Sequence, residues 1–136
     1  MIIGNGLLAK TFISYENNKD IVIFASGVSN SNCTDSNEYK RETDLLNYII
    51  DENQKKTIVY FSSCDIANNM MNNKTYYKHK LTMENILQKS AISYHIFRLP
   101  QVVGQSSNAK TLINFLYTEI ENETPFSLHI GTSKIL

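Results

Sequence analysis

The chain has 136 residues, 42% of them hydrophobic, which fits one domain with a real core and is short for an enzyme with separate cofactor and substrate domains. Thirteen basic residues balance thirteen acidic ones and neither sign gathers into a long block, which excludes the electrostatic footprint of a nucleic-acid or anionic-membrane binder. The apolar runs at 21–25 and 58–61 are strand-length, too short to span a bilayer, and the N-terminus lacks the basic start and long apolar stretch of a signal peptide, so the expectation is a cytoplasmic protein with no membrane partner.

Cys33 and Cys64 stand alone, without zinc-site spacing or disulfide density, in agreement with a reducing compartment. Asn-x-Thr triplets at Asn32, Asn73 and Asn122 match the glycosylation pattern, which has no reader without secretion. His79, His95 and His129 have no metal-like partner at helical or strand spacing, so no metal is predicted.

In chain order, Met1-Ile2-Ile3 is a short apolar strand entering Gly4-Asn5-Gly6, after which Leu7, Leu8 and Phe12 recur at helical spacing. A polar breaker at 17–20 precedes a continuous apolar run, Ile21-Val22-Ile23-Phe24-Ala25, as expected of a strand buried on both faces, and the run stops at Ser26-Gly27. A polar loop over 29–37 leads to a helix whose apolar stripe is Tyr39, Leu45, Leu46, Ile49 and Ile50, with Asp35 or Ser36 as its cap. A second buried-strand composition follows at 57–62, then an Asn- and Met-rich loop and a helix over about 76–89. Residues 93–99 are a further strand ending at Pro100, residues 111–120 carry Leu112, Ile113, Leu116 and Ile120 on one helix face, and 126–130 is a candidate last strand.

Strands alternating with helices predict βαβ units, hence an α/β fold with a parallel sheet covered by helices on both faces. In such sheets ligands sit at the carboxyl ends of the strands. That points to residues 4–6, 26–30, 62–65 and 100–104.

Two motifs in these places carry chemistry. Gly4-Asn5-Gly6-Leu7-Leu8-Ala9 fits G-x-G-x-x-G/A, in which glycines permit a tight turn and close backbone approach to a pyrophosphate; a purely structural glycine turn looks the same. Tyr76-x-x-x-Lys80 places both side chains on one helix face, where an ammonium can favour the phenolate; an exposed Lys beside a half-buried Tyr has the same spacing.

The order of the pieces resembles the NAD(P)-binding core of extended short-chain dehydrogenase/reductases, the sugar-nucleotide epimerase and dehydratase family. The glycine turn resembles the family's first βα turn, and Val22-Ile23-Phe24-Ala25-Ser26-Gly27 the strand ending in a small-residue cofactor loop. Val59-Tyr60-Phe61-Ser62-Ser63-Cys64-Asp65-Ile66 is similar to the strand that delivers a catalytic hydroxyl, and Tyr76-x-x-x-Lys80 with Leu81 and Glu84 to the catalytic helix. Residues 96–104, with Arg98, Pro100 and Gly104, resemble the R-x-P-x-x-x-G segment that follows.

The resemblance implies a three-layer Rossmann-like domain over 1–136, abbreviated to about four to five strands. It implies catalysis by Ser63, Tyr76 and Lys80, with Tyr76 carrying a hydroxyl proton, Ser63 bonded to the same oxygen, and Lys80 lowering the tyrosine pKa and holding the nicotinamide ribose. NAD or NADP would lie against Gly4, Asn5, Gly6, Leu7, Leu8, Ala25, Ser26, Gly27, Lys80 and Pro100. The expected substrate is a nucleotide-linked sugar, undergoing epimerisation, dehydration or ketoreduction. Arg98 is either a substrate contact or a structural ion-pair residue.

The pattern breaks in three places. No room exists before Ile21 for the family's second and third strands, so the acidic residue that holds the adenosine ribose has no counterpart, and Asp20 sits at the wrong end of a strand. The segment between Ser63 and Tyr76 is short where the family builds a substrate loop, and no substantial C-terminal substrate domain is expected. The competing reading is a non-catalytic Rossmann-like module for assembly or regulation, forming a homodimer through the Tyr76 helix and the helix bearing residues 45–50. Another nucleotide at the glycine turn ranks last, because no Gly-Lys-Ser/Thr P-loop is present.

Overall fold

β-Branched and aromatic runs become strands, and the segments between them become helices. The computed structural model describes residues 1–67, 74–100, 102, 104 and 112–127. In chain order they form β1 (Ile2–Ile3), α1 (Leu7–Thr11), a 3-10 turn (Ile13–Tyr15), β2 (Ile21–Phe24), α2 (Ser36–Glu52), β3 (Thr57–Ser63), a second 3-10 turn (Cys64–Ala67), α3 (Thr75–Lys89), β4 (Ser93–Leu99) and α4 (Leu112–Glu121). The chain divides into two compact units, Met1–Leu99 and Pro100–Leu136.

In the first unit the strands pair in the order β1-β2-β3-β4, all parallel. Ile2 lies opposite Ile23, Ile21 opposite Thr57, and Thr57 opposite Ser93, so the carboxyl ends of β3 and β4 finish together at Ser63 and Leu99.

Strand alternation sorts the side chains onto two faces. Val22 and Phe24 of β2 and Ile58 and Tyr60 of β3 meet Leu46, Ile49 and Ile50 of α2 and Met83 and Leu87 of α3 in one core. Each such side chain contributes about 1.5–3 kcal/mol by leaving water, which fixes both long helices to this face. Asp35, one of the two expected caps, starts α2 by accepting the Asn37 backbone N–H at 2.8 Å. The opposite face carries Ile21, Ile23, Val59, Phe61, Phe97 and Leu99, and there Phe12 stacks on Phe61 at 5.4 Å between ring centroids.

The connection from β1 to β2 therefore runs over one face while those through α2 and α3 run over the other. All three step across the sheet in the same direction, so the first has the opposite hand to the right-handed rule that governs the other two. The chain after β1 and the chain after β2 consequently leave towards opposite faces. Adjacent strands whose chains leave towards opposite faces are the places at which open α/β sheets bind ligands.

In the second unit Phe115 of α4 meets Phe126 edge to face at 6.0 Å. Phe126 and Ser127 lie in neither helix nor strand, and the rest of the strand expected over 126–130 lies outside the described residues, as do residues 68–73.

Candidate functional site

Two glycine-bearing turns meet at the carboxyl ends of β1 and β2. Gly4 has φ +123°, and a Cβ there would stand 2.6 Å from the Ala25 carbonyl oxygen and 2.9 Å from the Ser26 nitrogen. Only glycine lets the turn after β1 lie this close to the turn after β2. Gly6 caps α1 with no side-chain hydrogen bond, and a Cβ there would meet nothing within 4 Å. Gly4, Asn5 and Gly6 are exposed, Leu7, Leu8, Ala25 and Ser26 half-buried, and Gly27 exposed. Since α1 has five residues, its dipole adds little, and the turn's open backbone is what it offers an anion.

Directly beneath Gly27 lies a buried charged cluster that the sequence reading did not anticipate. Lys80 of α3, 5% exposed, donates from Nζ to Glu42 Oε1 of α2 at 3.1 Å and to the Tyr60 hydroxyl at 3.2 Å. Glu42, 1% exposed, also meets His79 Nε2 at 3.1 Å and accepts the Val28 backbone N–H at 3.0 Å, both through Oε2. A Cβ on Gly27 would lie 3.0 Å from Glu42 Oε1 and 3.1 Å from Lys80 Nζ. The backbone of the turn after β2 is the cover of this ion pair, and Glu42 is bonded to that cover through Val28.

The electrostatics follow from the burial. Desolvation pushes the Glu42 carboxyl up, but the hydrogen bond from His79, the Lys80 charge and the Val28 N–H together bring it down to about 2. Tyr76, half-buried at the start of α3, has the Lys80 ammonium 5.7 Å from its ring centroid. Its phenol is nevertheless pushed well above the ordinary tyrosine range, first by burial and then by the negative charge of Glu42. The expected lowering by Lys80 does not arise in this arrangement, because the ammonium is spent on Glu42 and the nearest full negative charge opposes the phenolate.

The structure brings Tyr76 and Lys80 together but joins Ser63 to neither by a hydrogen bond among the described residues. Ser63, the last residue of β3, is half-buried and its Oγ accepts the Asp65 backbone N–H at 3.3 Å, a local turn bond. Asp65 in turn accepts from the Tyr77 hydroxyl at 3.3 Å, tying the turn after β3 to α3. Arg98 is an ion-pair residue: its guanidinium grips Glu84 of α3 with bonds of 3.0 and 2.7 Å. The buried Ser62 Oγ lies beside Glu84 and favours its ionised form, yet makes no well-formed hydrogen bond. Pro100 follows β4 directly and opens the second unit.

A separate apolar groove of about 390 Å³ lies on the opposite face of the sheet, between Phe12, Tyr15, Ile23, Val59, Phe61 and Phe97. Its lining carries no acid, base or nucleophile other than the Tyr15 phenol. Among the described residues no group of three His, Cys, Asp or Glu side chains could hold a metal ion, and no helix is long and apolar enough to cross a membrane.

The sequence matches no protein-family model and no curated protein. The four-stranded parallel sheet, however, is similar to the crystal structure of the capsular polysaccharide assembling protein CapF from Staphylococcus aureus, with a TM-score of 0.53 at 19% sequence identity. The fold is Rossmann-like. The match covers 81% of this chain and 31% of CapF, so the chain spans less than a third of that protein's length, and the likeness is one of fold.

Proposed function

We propose that the protein is a nicotinamide-dinucleotide-dependent enzyme of the extended short-chain dehydrogenase/reductase kind, acting on a nucleotide-linked sugar at the carboxyl ends of β1 to β4. The observation that carries this reading is the packing of the Tyr-x-x-x-Lys pair, with the Lys80 ammonium 5.7 Å from the Tyr76 ring centroid, immediately behind the turn after β2. The fold shared with a capsular polysaccharide assembling protein supports a sugar substrate.

The residues fit a dinucleotide unequally. The exposed turn at Gly4, Asn5 and Gly6, with open space at Gly6, suits a pyrophosphate, and the half-buried Leu7, Leu8, Ala25 and Ser26 would flank it. Lys80 and Gly27 suit the nicotinamide ribose once the ammonium is released from Glu42. The adenosine end has no acidic partner, since Asp20 precedes β2 at the opposite end of the sheet. When bound, the cofactor supplies hydride transfer.

The chain's own residues handle the proton. A phenol held above its ordinary range keeps its proton at neutral pH, so Tyr76 Oη is set up to donate, hydrogen-bonding a sugar oxygen and returning a proton to it. Acting as a base at neutral pH needs the opposite shift, which a ligand that draws Lys80 away from Glu42 and towards Tyr76 would provide. Ser63, at the end of β3, is the second hydroxyl for that oxygen.

A second reading is favoured by one observation: Lys80 is fully engaged by Glu42 and Tyr60 beneath Gly27. A non-catalytic Rossmann-like module, dimerising through α2 and α3, uses the same cluster as a structural tie. Incubation with NAD or NADP and a panel of nucleotide-linked sugars, with products separated by chromatography, distinguishes the two. Turnover that disappears in Tyr76→Phe supports the enzyme; no turnover of any sugar by a cofactor-loaded protein supports the module.

A further inference from the structure

Glu42 lies outside the Ser63, Tyr76 and Lys80 constellation, yet it bonds both Lys80 and the turn after β2. Its Oε1 takes the Lys80 ammonium and its Oε2 takes both the Val28 N–H and His79 Nε2. Val28 follows directly on Ala25-Ser26-Gly27, the turn that lies against Gly4, and is itself 9% exposed. The contact is tight enough that a methyl group on Gly27 would press on the carboxylate and the ammonium at once.

We propose that Glu42 is the positioning residue of this site, a single carboxylate that couples the turn after β2 to Lys80. Whether a ligand finds the lysine free and where it finds the turn are then one variable. A ligand hydroxyl that draws Lys80 off Oε1 removes the cation that faces the carboxylate, and the Val28 bond on the other oxygen responds. Displacing the turn has the converse effect on the lysine. This coupling is a property of the free protein; its use in binding a dinucleotide rests on the function proposed above.

The groups facing Glu42 are His79 and Lys80 from α3, Tyr60 from β3, and the Val28 amide from the turn after β2. None of these except Val28 belongs to the turn, so the lysine and the turn have Glu42 as their common bonded partner.

The test perturbs one end and reads the other. Hydrogen exchange at the Val28 amide, followed by NMR on the free protein, is expected to quicken at least tenfold in Lys80→Met. The same substitution made on a Glu42→Gln background is expected to change Val28 exchange less than twofold, because the connecting carboxylate is gone. Val28 exchange that ignores Lys80→Met, or that responds equally in both backgrounds, overturns the proposal. If either variant fails to fold, Lys80→Gln and Glu42→Met replace Lys80→Met and Glu42→Gln with the same reading: Val28 exchange that ignores the lysine substitution, or that responds equally in both backgrounds, overturns the coupling. Addition of NADH to the wild-type protein forms a separate arm. Coupling in the free protein without any NADH-induced shift leaves the role of Glu42 standing and removes the dinucleotide function.

Discussion

Lys80 on α3 and Glu42 on α2 form a buried ion pair, Nζ to Oε1 3.1 Å, directly under the backbone of Gly27. The pair joins the two long helices and the turn after β2 at the carboxyl end of the sheet. Burying two charges is costly unless each is fully bonded, and here Glu42 has His79, Lys80 and Val28 as partners while Lys80 has Glu42 and Tyr60.

Acid should weaken the fold through Glu42. Its folded pKa of about 2 lies below the ordinary 4.5, so its stabilisation is fully present above pH 4.5 and is lost as pH falls towards 2. The shift corresponds to on the order of 3 kcal/mol, and Glu42→Gln is expected to lose about that much at pH 7 while flattening the acid limb. Urea denaturation at pH 7, 4 and 3 for the two proteins measures both effects.

The glycines of the first turn should respond oppositely to a methyl group. Gly4→Ala forces a side chain onto φ +123° and into the Ala25 carbonyl, and is expected to cost about 2 kcal/mol or more. Gly6→Ala meets nothing within 4 Å and should leave the melting temperature unchanged. Thermal unfolding of the two variants side by side reads the difference.

Glu84 and Arg98 tie α3 to β4. Arg98→Ala leaves the 2%-exposed Glu84 carboxylate without its guanidinium, which is expected to destabilise by about 2 kcal/mol, less than a fully buried pair because the Arg98 side chain is 44% exposed. Arg98→Lys, which keeps the charge and loses the two-pronged grip, should fall between. Denaturant titration of the three proteins orders them.

Tyr76 should resist ionisation. Burial and the Glu42 charge hold its phenol above the ordinary range, so ultraviolet titration of Tyr76→Phe should show as many tyrosines ionising near pH 10 as the wild-type protein does. Glu42→Gln, which removes the opposing charge, should bring Tyr76 down.

Two strands were legible because residues 21–24 and most of 57–63 are runs of β-branched and aromatic residues bounded by polar breakers, and the strand at 93–99 was marked by Tyr94, Ile96, Phe97 and Leu99 before Pro100. The helices were legible from their stripes. The first connection was not: periodicity gives an element's faces but not which face of the sheet it crosses, and packing of Phe12 on Phe61 decides that. Of the site, the two motifs were visible, while Glu42 was missed although a signal existed. Tyr39, Glu42, Leu46, Ile49 and Asn53 share one helical face, and Tyr77, Lys80, Glu84 and Leu87 another. A charge in phase with an apolar stripe must be buried with a partner, and the only opposite charge in phase on the facing helix of Glu42 is Lys80. The phenol's upward shift was illegible because its first cause is burial, which helical spacing does not give for Tyr76, and its second is that unseen carboxylate.

Whether the turns after β1 and β2 hold a nicotinamide dinucleotide is read by isothermal calorimetry with NADH and NADPH. Gly6→Val is the control, because its side chain stands in open space at the turn and leaves the core untouched. Micromolar binding to the wild-type protein that is kept in Tyr76→Phe and abolished in Gly6→Val is the predicted result. No heat with either cofactor up to millimolar concentration would mean that these turns hold no dinucleotide and would remove the proposed function.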